Sequence, residues 1–397
     1  MSEIETDIIH SVRDTKKQKG MVNNPIYQSS TVVFDSYEDF KHADNIYYNT
    51  SKPNPRELTY GRNGTETIFD CEELIAKIEG GDFCKVTSCG YSAIVVAINA
   101  FVANGDHILI SDGVYGPTRK YADKVLSKFG VQVEYYDPCA TYEQIKSQIK
   151  SNTKVIFCES PSSLTFEVQD IPAISRAAHE SDITVILDNT WATPLYFRGF
   201  DKGADIVIES CTKYISGHSD FMMGAITFRE RHFNAIMASF RLIGANTTPI
   251  NAYYAMRGLR TMAARLAQHG ASVTRVINGL ANHPKISQIL HPTQKNCNGH
   301  EIFKRDFLGH TALFSICLDK KYPTESLSRF FNNLKYFGMG YSWGGYESLI
   351  IEFPETMQAI RTATNRLYNE KTAIRIYIGL ENPNDLLNDL LHCLALL

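Results

Sequence analysis

From about residue 61 onward, short apolar, β-branched runs alternate with amphipathic stretches of helical period. The runs 85–88, 107–111, 131–136, 154–158, 184–187, 206–209 and 225–228 read as strands. The stretches 92–103, 117–129, 142–150 and 171–180 read as helices. Strands with few polar positions are buried on both faces, so the pattern predicts an α/β fold. Its mostly parallel seven-stranded sheet would be covered by helices on both sides. Upstream, residues 1–60 look irregular. Segment 44–65 is rich in Asn, Pro, Tyr and Gly and has no sustained period, so it is expected to lie on another surface rather than build a core. Beyond residue 250 the pattern changes. Helices are predicted over 251–269 and 271–283 with Gly270 as a break, then strands over 312–318, 348–353 and 374–379, and a closing helix over 383–396. The expected division is an N-terminal arm (1–60), a large domain (61–250) and a smaller C-terminal α+β domain (251–397).

Composition narrows the classes of function. The 397 residues are 44% hydrophobic and 21% charged, near the globular average, which argues against a disordered or fibrous chain. A formal charge of −3 gives no reason to expect nucleic acid as a partner, so any anion site must be local. Residues 1–6 are acidic and carry no apolar stretch of a signal peptide. The most apolar run, 93–103, contains Asn99 and is too short to span a bilayer. A cytoplasmic protein without membrane contact is expected. Nine scattered cysteines, an odd number with no C-x-x-C, predict free buried thiols rather than a disulfide scaffold or a metal site.

In a parallel sheet, ligands bind outside the carboxyl ends of the strands. After the first predicted strand comes Cys89-Gly90-Tyr91-Ser92, where a helix N-terminus would offer backbone N–H groups to a phosphate. After the fifth comes Asp188-Asn189-Thr190, and after the sixth Ser210-Cys211-Thr212-Lys213. Singly, these are ordinary: a turn glycine, a helix cap and a solvated lysine. Jointly they suggest one device. Gly90, Ser210 and Thr212 would hold a phosphate, Lys213 would form a Schiff base with an aldehyde, and Asp188 would pair with a ring nitrogen. Tyr115, after the second strand, could stack on the ring. A lysine Schiff base with an acidic partner on the ring nitrogen is how proteins hold pyridoxal phosphate.

With Tyr60-Gly61-Arg62, Asp188-Asn189-Thr190, the run from Ser210 to Asp220 and Arg257-Gly258-Leu259-Arg260-Thr261 in this order, the chain resembles the cysteine/methionine-metabolism family of pyridoxal-phosphate enzymes. The resemblance runs from Ile26 to Glu381. It implies an aspartate-aminotransferase-like fold (fold type I) and a homotetramer built from two close dimers. It also implies that Lys213 carries the cofactor, Asp188 partners the ring nitrogen and Tyr115 stacks on the ring. Gly90, Tyr91, Ser210 and Thr212 would contact the phosphate, with Tyr60 and Arg62 reaching it from the neighbouring subunit. Arg375 would grip the α-carboxylate of an amino-acid substrate, a bidentate task that suits a guanidinium. Cys89-Gly90-Tyr91 departs from the Ser-Gly-Met common in the family, which leaves backbone contacts intact but puts an aromatic ring near the pocket. The segment from Tyr341 to Ser348, with Ser342 and Trp343 placed to touch substrate, resembles the form found in β-acting members, as does Glu159–Thr165. The implied reaction is β-elimination of L-cystathionine to homocysteine, pyruvate and ammonia. The alternatives are a γ-acting relative or racemisation as a side activity.

Overall fold

A computed structural model describes residues 3–48, 56, 58–353 and 371–397. Seven strands form the large sheet: β1 (Phe83–Thr87), β2 (His107–Ser111), β3 (Gln132–Tyr136), β4 (Thr153–Glu159), β5 (Thr184–Asp188), β6 (Ile206–Glu209) and β7 (Gly224–Phe228). Their spatial order is β1-β7-β6-β5-β4-β2-β3. Only β7 runs against its neighbours, β1 and β6; the other pairings are parallel.

Strand alternation explains why these runs are so apolar. Ile108, Ile110, Phe157, Ile186, Ile206 and Ile208 enter a core on one face of the sheet. The intervening Leu109, Ile156, Cys158, Val185, Leu187 and Val207 enter another core on the opposite face. Each fully buried Ile or Leu stabilises the fold by roughly 1.5–3 kcal/mol. The second cluster draws members from all three segments of the chain, including Ile8, Leu187 and Leu390.

The first sixty residues are less irregular than their composition suggests. They contain α1 (Ile4–His10) and α2 (Tyr37–Tyr48). Acidic residues in the first turn favour both short helices, and α1 buries Ile8. Positions 49–55 and 57 of the predicted core-less segment lie outside the described residues. A further helix, α3 (Glu66–Glu79), precedes β1 and was missing from the sequence pattern given above. It buries Ile68, Leu74, Ile75 and Ile78, and it stops at Gly80, whose φ of 81° admits the left-handed end.

The C-terminal sheet contains β8 (Ile286–Leu290), β9 (Leu313–Leu318), β10 (Gly338–Met339), β11 (Leu349–Glu352) and β12 (Ala373–Tyr377). The order is β10-β11-β12-β9-β8. β8 and β10 were not expected: β8 carries polar Ser287 and Gln288, and β10 has two residues. Gly270 does not break a helix. The helices run Pro249–Leu259 and Met262–Leu280, and the break falls at Arg260 and Thr261. A helical glycine costs only about 1 kcal/mol relative to Ala, and the buried Leu266, Val273, Val276 and Ile277 outweigh it. No helix among the described residues is long and apolar enough to cross a membrane.

Candidate active site

Loops at the carboxyl ends of β1, β2, β4, β5 and β6 converge with the C-terminal sheet on a cavity of about 230 Å³. Ten of the twelve residues singled out in the sequence line it: Gly90, Tyr91, Tyr115, Asp188, Ser210, Thr212, Lys213, Ser342, Trp343 and Arg375. Tyr60 and Arg62 do not line this cavity. Tyr60 is 46% exposed and precedes a turn over Gly61–Asn63, whose Gly61 N–H is bonded to Ser30 O at 3.0 Å.

α4 (Gly90–Asn99) begins two residues earlier than its pattern indicates, which places Gly90 and Tyr91 in the first turn. First-turn N–H groups have no acceptor within the helix. The cap is Cys89, whose Sγ accepts from Ser92 N at 3.4 Å. A Cβ at Gly90 would lie 2.7 Å from Ser210 Oγ, so only glycine lets the helix end and the β6 loop meet. The Tyr91 ring packs edge-on against Tyr121 with centroids 6.3 Å apart.

Asp188 closes β5 and is buried. Its Oδ1 accepts from the Thr190 hydroxyl at 2.6 Å and the Thr190 N–H at 3.1 Å, and Thr190 Oγ1 accepts from Ser210 N at 2.8 Å. Burial raises the Asp188 pKa, against the pull of the two Thr190 bonds and the Lys213 charge. Lys213 follows β6 in a tight turn closed by its N–H on Ser210 O at 3.0 Å. Its amine donates to Ser342 Oγ at 2.5 Å and lies 5.3 Å from the centre of the Trp343 ring. Desolvation and the nearby Arg375 charge lower its pKa to about 8, with Asp188 opposing.

Arg375 lies on β12, between β11 and β9 in the middle of its sheet rather than at an edge. Its Nη2 donates to Ser342 O at 3.0 Å. Ser342 thus touches both cations, one through its hydroxyl and one through its carbonyl. It does so with a φ of 83°, a conformation uncommon for a residue with a Cβ. Trp343 packs on the core and also forms cavity wall, with Tyr214 5.4 Å away.

Among the wall residues that received no role from the sequence are Glu159, Ser162, Thr190 and Trp191. Glu159 Oε2 accepts from Tyr115 N at 2.6 Å, and Glu159 pairs in register with Asp188 across β4 and β5. The signal for Glu159 and Thr190 was available, since both stand at or just after strand ends. Trp191 is 6% exposed and has the sequence character of a core residue.

These residues suit pyridoxal phosphate. The glycine-only contact of Gly90 with Ser210 forms a cradle at a helix N-terminus, as a phosphate requires. Ser162 Oγ is buried on the cavity wall without a hydrogen-bond partner among the described residues, a polar group left for a ligand. A part-buried amine, Lys213, and a buried carboxylate, Asp188, complete the donor set.

Comparison with known proteins agrees. The chain is 40% identical to cystathionine beta-lyase of Escherichia coli (strain K12) over 98% of its length and 97% of that protein's. It is 37% identical to L-alanine/L-glutamate racemase of Wolbachia pipientis wMel, over 98% of this chain and 96% of that one. The crystal structure of cystathionine gamma synthase from Xanthomonas oryzae pv. oryzae, in complex with aminoacrylate and cysteine, superposes with a TM-score of 0.89 at 28% identity, covering 100% of this chain and 98% of that one. The fold is that of fold type I pyridoxal-phosphate enzymes. The family model described as Cys/Met metabolism PLP-dependent enzyme matches residues 5–395, and the chain belongs to that family of pyridoxal-phosphate-dependent enzymes.

Proposed function

We propose that the chain breaks the β carbon–sulfur bond of L-cystathionine, giving homocysteine, pyruvate and ammonia. One observation carries the reading: Ser342 joins Lys213 and Arg375, 2.5 Å and 3.0 Å away. A substrate carboxylate gripped by Arg375 places Cα one bond away, within reach of the Lys213 amine.

Lys213 would hold the cofactor through Nζ, with the phosphate at Gly90, Tyr91, Ser210 and Thr212. Asp188 would keep a proton on the ring nitrogen. When bound, pyridoxal phosphate takes up the electron pair left at Cα. With a pKa near 8, the free Lys213 amine would exchange protons close to neutrality and act as the base at Cα. The Cβ–S bond then breaks and its electron pair departs on sulfur. Burial and the Glu159 charge raise the Tyr115 pKa, so its phenol keeps its proton at neutral pH. Tyr115 or the protonated Lys213 can supply the proton that makes the leaving group a thiol. The three-carbon fragment hydrolyses to pyruvate and ammonia.

β- rather than γ-cleavage is supported by Trp343, a bulky ring beside Lys213 that narrows the space for substrate. It is also supported by the similarity to cystathionine beta-lyases. The test is the keto acid released from cystathionine. Pyruvate with homocysteine is expected; 2-oxobutyrate with cysteine would assign the chain to γ-cleavage.

Racemisation has one observation in its favour beyond the similarity to the Wolbachia pipientis protein. Lys213 and Tyr115 both line the cavity, so two groups are available to exchange a proton at Cα. We place it as a side activity, since neither group explains the Trp343 wall.

The site is further proposed to be shared in a homotetramer of two close dimers, with Tyr60 and Arg62 serving the neighbour's phosphate. The N-terminal segment supports this by exposing Val22, Tyr27, Val33 and Tyr37, each by more than half.

A further inference from the structure

The loop from Ser342 to Gly345 carries the Ser342 and Trp343 side chains that face Lys213. Ser342 and Gly344 both have positive φ, 83° and 91°. A Cβ at Gly344 would fall 2.8 Å from Lys213 Cα, so the loop lies directly on the lysine's backbone. Two side chains from one face of β12 hold it. Arg375 Nη2 bonds Ser342 O at 3.0 Å, and two residues on, the Tyr377 hydroxyl bonds Gly345 O at 2.7 Å. Positions i and i+2 of a strand point the same way, so β12 clamps both ends of the loop.

Tyr377 is fully buried. Its hydroxyl has one proton and two neighbours, Gly345 O at 2.7 Å and His269 Nε2 at 3.2 Å. Burial and the Arg265 charge lower the His269 pKa to about 4. Its Nδ1 is 3.1 Å from the Ile378 carbonyl, which accepts the one imidazole proton. The shorter bond to Gly345 therefore takes the Tyr377 proton as its main direction. The ring also stands 6.1 Å from Tyr214, the residue after Lys213, and Tyr214 in turn meets Trp343.

We infer that Tyr377 is a positioning residue: its hydroxyl clamps Gly345 and so holds Ser342 and Trp343 in place against Lys213. The inference rests on Lys213 being the reactive amine. Arg375 grips substrate as well as the loop, so Tyr377 is the clamp that has no other task.

Tyr377→Phe removes the oxygen and keeps the ring. Misplacing a catalytic contact by about 1 Å costs on the order of a hundredfold. A loop still held by Arg375 moves less, so kcat should fall roughly tenfold while KM changes less than about threefold. Cofactor absorbance and the melting temperature should stay near wild type. The pH dependence supplies the diagnostic. Ser342 Oγ and the Trp343 face both favour the charged amine, with Arg375 and Asp188 as the other charges facing it. Loosening the loop should move the acidic limb of the kcat profile to lower pH, whereas a general structural defect would scale the profile without moving it. An unchanged kcat, a profile lowered without a shift, or loss of cofactor or fold would each overturn the inference. Lys213→Ala is measured alongside. If it keeps absorbance and activity, the site reading itself fails; if it is dead while Tyr377→Phe behaves as wild type, only the clamp fails.

Discussion

The two sides of the cavity are built by different means. On the large-sheet side, Gly90, Tyr115, Asp188, Ser210, Thr212 and Lys213 each stand at or just after the end of a strand. Strand direction alone delivers them to one edge. On the C-terminal side, Ser342 sits in a loop with positive φ, and Arg375 comes from the middle of a central strand. No periodicity announces either. Topology places the first set; local strain and side-chain clamps place the second. The first side would hold the cofactor and the second would choose the bond that breaks. Damage to the two sides should therefore look different in the test tube.

The largest effect is expected on the cofactor side. Lys213→Ala should lose the cofactor's visible absorbance as bound in wild type, with activity down by at least about 10²–10⁴-fold, the usual worth of a positioned proton-transfer group. Arg62→Ala should also be nearly inactive, because a guanidinium matches phosphate oxygens through two bonds. Unfolding the two variants together and reassembling them distinguishes shared from private sites. In a shared arrangement, a mixed dimer has one doubly defective site. Its other site takes Lys213 from one chain and Arg62 from the other, so activity returns. No recovery, with mixed dimers demonstrated, would show that each chain builds its own site.

Much of the cofactor side was legible because buried strands write themselves as apolar runs, while the edge strand β3, with exposed Gln132 and Glu134, shows as an alternating one. α3 escaped although it lies within the alternating region, because it precedes the first strand and is not flanked by strands on both sides. β8 and β10 escaped because a polar or two-residue strand leaves no run to read. Arg375 was the sharpest failure of pattern alone. Within Ala373–Tyr377, an arginine among apolar residues reads as an edge charge, yet it is turned into the cavity from mid-sheet. Only the family resemblance supplied its role. Tyr377 had no signal at all, since a buried tyrosine in a strand looks like core until its hydroxyl is followed to Gly345.

On the C-terminal side the expected damage is to substrate handling. Arg375→Lys replaces a planar fork by a point charge and forfeits a charge-assisted bond worth roughly 1.5–3 kcal/mol, about ten- to a hundredfold in kcat/KM. Cofactor absorbance should be unaffected. Burial lowers the Arg375 pKa to about 10, which leaves the guanidinium charged throughout the working range. Equal loss of cofactor and substrate binding in this variant would erase the distinction between the two sides. Kinetics unchanged from wild type would mean that a different residue grips the carboxylate.

The smallest effect concerns what lies beneath the cofactor side. Glu79 ends α3 and Glu209 ends β6, directly before Ser210. Both are buried. Among the described residues, no N–H or O–H reaches either oxygen of Glu79 or Oε1 of Glu209. The carboxyls interact with each other, and a proton held between them would supply the missing donor. Burial pushes Glu79 up to about 8, against the pull of Glu209 and Arg198. Burial, with the Glu79 and Asp188 charges, raises Glu209 as well. A carboxyl with a folded value above its ordinary 4.5 binds more protons folded than unfolded. Its contribution to stability is therefore full below about pH 4.5, declines as pH rises, and is gone above about 8. Glu209→Gln replaces the shared proton by an amide N–H that does not titrate. The variant should melt roughly 1–2 °C above wild type at pH 8.5, the equivalent of about 1 kcal/mol for a chain of this length. At pH 5 that advantage should vanish, because the wild-type pair then keeps its proton. An equal melting difference at both pH values would show that no proton is shared, and the polar foundation under Ser210 and Lys213 would then need another explanation for its unpaired oxygens.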